Sequence, residues 1–177
     1  MTELTAEIVR ELLDYNPATG EFVWKHRTEN EGNFNVMWEG RVAGTKDRKG
    51  YIIITIQGKK YAAHRLAWLF TYCEWPVDQV DHINNIRDDN RICNLRQADS
   101  YINSQNQKRA QKDNVSSGLL GVSFHKPNKK WLARINYEGR THLIGCYDCK
   151  YKAHEAYLEA KAKYHSGYVG VTTVNKR

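Results

Sequence analysis

Asp81 and His82 stand side by side in the run Val80-Asp81-His82-Ile83-Asn84-Asn85, and Asn94 and Asn103 follow the histidine at twelve and twenty-one positions. An acid, an imidazole and an amide oxygen are what hydrolysis of a phosphodiester at one metal ion requires. The carboxylate and the amide are hard oxygen donors of the kind that hold Mg²⁺. A neutral imidazole can take a proton from an attacking water. A divalent cation would then stabilise charge on the phosphate and the leaving oxygen.

The charge balance points to a polyanionic substrate. Lys and Arg number 27 against 20 acids in 177 residues, a net charge of +7. Cations in excess favour phosphate-rich partners, because binding releases condensed counterions. Four cysteines, Cys73, Cys93, Cys146 and Cys149, are too few and too unevenly spaced for a disulfide scaffold. Met1-Thr2-Glu3-Leu4 lacks the basic and apolar regions of a secretory signal, and no apolar run reaches the length of a membrane span. The expectation is a soluble, cytoplasmic, reduced protein.

The elements that must position these groups can be read from periodicity. Ile8, Val9, Leu12 and Leu13 share a helical face over 5–15, with Thr5 as N-cap. Asn16-Pro17-Ala18-Thr19-Gly20 turns the chain into a short strand at 21–25, and 26–40 reads as a loop. Residues 51–56 and 60–63 form a hairpin about Gln57-Gly58, and 65–72 is helical. Two short strands, 80–82 and 94–96, flank a polar loop, and Asp99 caps a helix over 100–107. Asp88, Asp89 and Asn90 crowd that loop without the glycine and glutamate of an EF-hand, so the loop is expected to be solvated and to order around Asn94.

The stretch VDHINNIRDDNRICNLRQADSYINSQNQ, with the lead-in Tyr61-Ala62-Ala63-His64-Arg65-Leu66-Ala67, resembles the HNH motif of small phage and intron-encoded homing endonucleases. The resemblance implies a ββα-metal unit over 61–107, two strands and a helix around one divalent cation. It implies His82 as general base, Asp81 and Asn103 as metal ligands, and Asn94 as the residue that ties the loop so that the base is aimed. An asparagine stands third where many such enzymes carry histidine, which suits Mg²⁺ or Mn²⁺ and argues against tight zinc. Arg87, Arg91 and Arg96 would face phosphates or simply a solvated surface.

Lys108–Ser117 is polar, carries Lys108, Arg109 and Lys112, and reads as a basic linker. Beyond it, strands at 121–124, 131–137 and 141–147 precede a helix over 151–165. Asp148 is expected to cap that helix, with Ala153, Ala156, Tyr157, Ala160 and Tyr164 on one face. Ser117–Phe124, Lys130–Ile135, Leu143–Tyr147 and Ala153–Tyr157 resemble an APETALA-type DNA-binding domain, in which a three-stranded antiparallel sheet enters the major groove. By position Ser123, His125, Lys130, Trp131, Arg134, Asn136, Arg140 and His142 would face DNA, and Trp131 packs on sugar or fills the sheet. Arg134 and Arg140 suit guanine or phosphate best. His125 and Ser123 stand where plant domains tend to carry arginine, so no sequence preference transfers. The single C-x-x-C of Cys146 and Cys149 is weak evidence for zinc.

The expected architecture is therefore α+β: a small N-terminal region at 1–60, the ββα-metal unit, the linker and a DNA-binding domain over 118–170. Arg41, Lys46, Arg48 and Lys49 form a basic cluster before the hairpin. The expected function is metal-dependent, site-specific cleavage of double-stranded DNA by a monomer or weak dimer, nicking one strand per site, in host cytoplasm if phage-encoded. The competing expectations are a non-catalytic DNA-binding regulator on the same scaffold and an enzyme acting on RNA.

Overall fold

The computed structural model describes residues 4–28, 33–107, 110, 114–168 and 170. The chain is a mixture of helices and small antiparallel sheets and divides into two compact units, Met1–Asp99 and Ser100–Arg177. No helix among the described residues is long and apolar enough to cross a membrane.

The first unit begins with α1 (Ala6–Leu12), where the Thr5 hydroxyl accepts from the Ile8 amide at 3.5 Å. The helix stops three residues short of the expected Tyr15. Leu13–Tyr15 instead forms β1, paired antiparallel with β2 (Phe22–Trp24) in the register Leu13↔Trp24. Pairing of Leu13 with Trp24 ends the helix early, and the turn between the strands secures that pairing. Asn16 Oδ1 accepts from the Ala18 and Thr19 amides, and the Asn16 carbonyl accepts from Gly20. Such side-chain-to-backbone bonds offer the chain an alternative to another helical turn.

The supposed loop at 26–40 contains a short helix, α2 (Phe34–Trp38). Phe34 meets the Trp24 ring edge-on at 5.4 Å, and the Arg27 guanidinium lies 3.5 Å from the Phe34 centroid. Those tertiary contacts stabilise a helix too short to show a periodicity of its own.

Next come β3 (Thr45–Lys46), β4 (Ile52–Ile56) and β5 (Lys59–Ala62), hydrogen-bonded in chain order. Gln57 and Gly58 both have positive φ, +49° and +77°, as a two-residue turn of this hand requires. Helix α3 (Ala63–Tyr72) follows at once and ends at Cys73 in the left-handed region. The strands β6 (Gln79–His82) and β7 (Leu95–Ala98) pair antiparallel, with the connecting segment closing in a 3₁₀ turn at Ile92–Asn94. One apolar core gathers Val9, Leu13, Phe22, Ile54, Ile56, Leu66 and Leu69 together with Val80 and Leu95. The N-terminal region and the β6–β7 pair are thus one folded body.

The second unit starts with α4 (Ser100–Gln105), so the division of the chain precedes the polar stretch at 108–117. Its sheet consists of β8 (Val122–His125), β9 (Lys130–Tyr137) and β10 (Arg140–Tyr147), with β9 central and a bulge between Leu143 and Gly145. Glu138 and Gly139 turn the β9–β10 hairpin with positive φ at both residues. Helix α5 (Lys150–Tyr164) packs Ala153 and Tyr157 on Val122, Ala133 and Ile135.

Two details of α5 differ from expectation. Cys149 occupies the N-cap without a side-chain bond, while Asp148 forms an ion pair with Lys130. The deepest residue of its last turns is Lys161, whose Nζ donates to the Gln107 carbonyl and lies 4.7 Å from the Tyr168 ring. A buried ammonium is tolerated when donors and aromatic faces replace its water.

Candidate active site

Strand alternation holds through the end of β6: Val80 and His82 are buried, and Asp81 projects from the other side. Register places Asp81 directly opposite Arg96 on β7. Arg96 Nε and Nη2 both donate to Asp81 Oδ2, at 3.2 and 3.0 Å, and the two side chains keep 23% and 10% of their exposure.

His82 is 4% exposed, and its Nε2 lies 3.2 Å from Asn90 Oδ1. An amide oxygen only accepts, so Nε2 carries the proton and Nδ1 carries the basic lone pair. The imidazole sits in an aromatic slot, with the His64 ring edge-on at 5.0 Å and the Tyr51 ring at 6.0 Å.

The β6–β7 connection is an ordered hydrogen-bonded structure. Asn94, 7% exposed, accepts from the Asn84 amide at 3.0 Å and donates to Asn84 Oδ1 and to the Asp89 carbonyl. The main chain adds Ile83 N–H to the Asn94 carbonyl. Asn84 Nδ2 donates to Asp89 Oδ2. Residues 85–88 are exposed and the connection orders around Asn94, as expected, whereas Asn90 is 2% exposed. Its side chain turns inward because His82 offers it a donor away from water.

The N-terminal region braces this connection. The Tyr15 hydroxyl donates to the Asn90 carbonyl at 2.8 Å, and Lys46 pairs with Asp88 at 2.6 Å. Gly20, at φ +79°, lies so close that a Cβ there would stand 2.5 Å from the Arg91 nitrogen and 2.6 Å from the Asn90 carbonyl carbon. Glycine is the residue that permits such backbone-to-backbone approach.

Burial is the main influence on both histidines. It holds the His82 pKa below its ordinary value, opposed by the Asn90 hydrogen bond and by the Asp81, Asp89 and Asp88 carboxylates. His64 is lowered to about 4 by burial and then by the nearby His82 ring, with which it competes for a proton, and the Arg65 guanidinium. Its Nδ1 is buried without a hydrogen-bond partner among the described residues. Both rings are therefore neutral at pH 7.

Each of the three arginines expected to face phosphates is engaged by the protein. Arg87 donates to the Lys49 carbonyl and lies 5.2 Å from the Tyr51 centroid. Arg91 forms a two-pronged pair with Asp89, and Arg96 binds Asp81. Asn84, Asn90, Tyr15 and Gly20 carry no role at the site that the sequence pattern announces. His64 stands in the lead-in to the motif, and a histidine among apolar helix positions is the one signal the sequence offers for it.

Asn103 stands on α4 in the second unit. On the sheet of that unit, Trp131 packs with the apolar cluster under α5 and 4.9 Å from the Phe124 ring. By alternation His125, Lys130 and Arg134 project to the other face, and Arg134 and Arg140 are exposed. Lys108 and Arg109 lie outside the described residues. All four cysteines are free thiols.

Among the described residues no group of three or more His, Cys, Asp or Glu side chains is placed to hold a metal ion. The carboxylate of Asp81 and the amide of Asn103 are nonetheless hard oxygen donors. That chemistry suits Mg²⁺, which keeps several waters and takes one or two carboxylates plus substrate phosphate.

Comparison with known proteins agrees with this geometry. Residues 61–105 match the family model described as HNH endonuclease. The match spans α3, β6, the braced connection, β7 and α4, about a quarter of the chain. It supports a nuclease that hydrolyses DNA. No curated protein and no solved structure matches the chain.

Proposed function

We propose that this protein is a metal-dependent, site-specific DNA endonuclease of the HNH homing type, with Mg²⁺ or Mn²⁺ as its cofactor. The observation that carries this reading is the buried His82 imidazole, neutral and oriented by Asn90, beside Asp81 within the segment that matches the HNH family.

In this reading His82 Nδ1 takes the proton of a water aimed at the scissile phosphorus, while Asn90 holds Nε2–H and with it the tautomer. Asn94 fixes the connection that carries Asn90. Asp81 and Asn103 would be the protein ligands of the cation, which would supply Lewis-acid stabilisation of charge on the phosphate. The second unit grips duplex DNA as an APETALA-type sheet through His125, Lys130, Arg134 and Arg140, with Lys108 and Arg109 on the backbone. One site per chain cuts one strand, so a monomer nicks, and both strands are cut only by a dimer or by successive nicks.

The test is incubation of supercoiled plasmid carrying candidate genomic target with wild type and His82→Ala, in Mg²⁺ or EDTA. Open circles formed by wild type alone, and only with metal, support the reading. Equal binding of that DNA by both proteins with no cut product would support a regulator instead. The Asp81–Arg96 pair favours that second reading, since it shows the carboxylate already neutralised from within the chain.

A further inference from the structure

We infer that Lys161 is a positioning residue for Asn103: from the last turns of α5 it holds the C-terminal end of α4, the helix on which Asn103 stands. The inference rests on the proposed endonuclease function, in which Asn103 is a metal ligand.

Helix α4 needs support from outside itself. It is six residues long, Ser100–Gln105, and a helix that short does not persist in water on its own hydrogen bonds. Gln105 is its one buried residue, so the support has to reach it at few points.

Three contacts with the stretch 161–168 supply it. Lys161 Nζ donates to the Gln107 carbonyl, just past the helix and one turn after Asn103. Gln105 Oε1 accepts from the Gly167 amide at 2.9 Å. Gly167 lies so close to the helix that a Cβ there would stand 2.5 Å from the Ile102 carbonyl oxygen and 3.1 Å from Gln105 Cβ. Ile102, Gln105 and Gln107 bracket Asn103 along the chain.

The chemistry of Lys161 suits this task. The residue is 2% exposed, and an ammonium is costly to take from water unless polar partners replace it. A carbonyl at a helix C-terminus carries the negative end of the helix dipole and is a favourable partner for a cation. The Tyr157 and Tyr168 rings, 5.8 and 4.7 Å from Nζ, add to the attraction. Packing on the sheet falls to Ala153 and Tyr157. One turn further along α5, Lys161 reaches α4 instead. Helix α5 thus braces the sheet proposed to grip DNA and anchors the helix that bears Asn103. A chain ending at α4 would keep Asn103 and lose that anchor.

The experiment uses the full-length protein and three readouts: hydrogen–deuterium exchange over 100–107, Mn²⁺ binding by electron paramagnetic resonance, and binding of a labelled mixed-sequence duplex in EDTA. Lys161→Met nearly keeps the side-chain length and removes the donor. It is expected to speed exchange over 100–107 and to weaken Mn²⁺ binding, each about tenfold, as loss of a buried hydrogen bond from a charged group implies. Duplex affinity is expected to stay near that of wild type, because Ala153 and Tyr157 still hold α5 on the sheet. Lys161→Arg, which can still donate to the carbonyl, should lie between, and it decides by the same readouts if the methionine variant does not fold. Added to Asn103→Ala, Lys161→Met is expected to weaken Mn²⁺ binding no further.

Unchanged exchange and Mn²⁺ affinity in a folded Lys161→Met protein overturn the inference. A parallel loss of duplex affinity overturns it too, since Lys161 would then support the whole unit rather than α4. Asn103→Ala separates the two levels. If it binds Mn²⁺ like wild type, the ligand assignment itself fails. If it loses Mn²⁺ while Lys161→Met does not, only the positioning role fails.

Discussion

The Tyr15 hydroxyl donates to the main-chain carbonyl of Asn90, seventy-five residues away, and Asn90 in turn holds the His82 imidazole through its side chain. A residue of the N-terminal hairpin thus reaches the proposed base, His82, through one intermediary. Burial beside this connection pushes the Tyr15 phenol up to about 12, so it remains a donor at every working pH. Tyr15→Phe is expected to cost about 1 kcal/mol of stability in chemical denaturation, with a larger proportional loss in nicking rate than in DNA affinity.

With His82 as the proposed base, the expected pH dependence of cleavage follows from the state of its imidazole. A base must be neutral, and burial lowers the pKa of this imidazole. Activity is therefore expected to persist to pH values below the ordinary histidine range and to fall only as pH drops through the depressed value. Single-turnover nicking rates against pH check this. Asn90→Asp places a carboxylate on Nε2–H, favours the charged imidazole, and is expected to move the acid limb upward.

His64 makes a second, separable prediction about stability. Its pKa is lowered in the folded state to about 4, so below the unfolded value the unfolded chain binds the extra proton. Its contribution is absent above about pH 6.5 and destabilises the fold progressively as pH falls toward about 4, by up to roughly 3 kcal/mol. Denaturant melts of wild type and His64→Gln across that range should converge at pH 7 in slope and diverge in acid. Parallel curves throughout would sink the assignment.

Asn94→Ala removes one acceptor and two donors from the connection. The expected cost is about 2–4 kcal/mol, since buried partners are left unsatisfied. Asn94→Asp keeps the acceptor but turns a carboxylate oxygen onto two acceptors, Asn84 Oδ1 and the Asp89 carbonyl, so it should be at least as damaging as alanine in thermal melts and in nicking rate.

Gly20→Ala tests the brace from outside the site. The new Cβ meets backbone atoms of Asn90 and Arg91 at 2.5–2.6 Å, and φ +79° disfavours any side chain. A destabilisation of about 2 kcal/mol or more is expected, together with slower cleavage by a protein whose proposed chemical groups are all unchanged.

The sequence was most legible where a local rule decides the outcome. Gln57-Gly58 and Glu138-Gly139 announced hairpins because two positive φ values in succession need such residues. The segment holding Asp81, His82 and Asn94, which matches the HNH endonuclease family, stood out because few other demands place those types at that spacing. Tertiary contacts hid the rest. Nothing local distinguishes Leu13 ending a helix from Leu13 opening a strand, and the decision falls to its pairing with Trp24. Phe34 becomes helical against Trp24 and Arg27, which the chain brings near only on folding. Asn90 read as one more polar loop residue, since its value comes from a histidine eight positions earlier. Arg96 read as a phosphate contact until strand register set it against Asp81.

The core that joins Leu4, Leu13, Phe22 and Ile54 to Val80 and Leu95 has a practical corollary. The stretch recognisable as a nuclease and the stretch able to fold are different lengths of chain. A gene fragment encoding 61–105 alone would deliver the chemical groups without Tyr15, Gly20, Lys46 or the strand that carries Ile54 and Ile56. Transplanting the proposed nuclease onto a different DNA-binding domain therefore means moving everything from α1 through α4, which carries Asn103, and swaps should be joined after α4 rather than before α3.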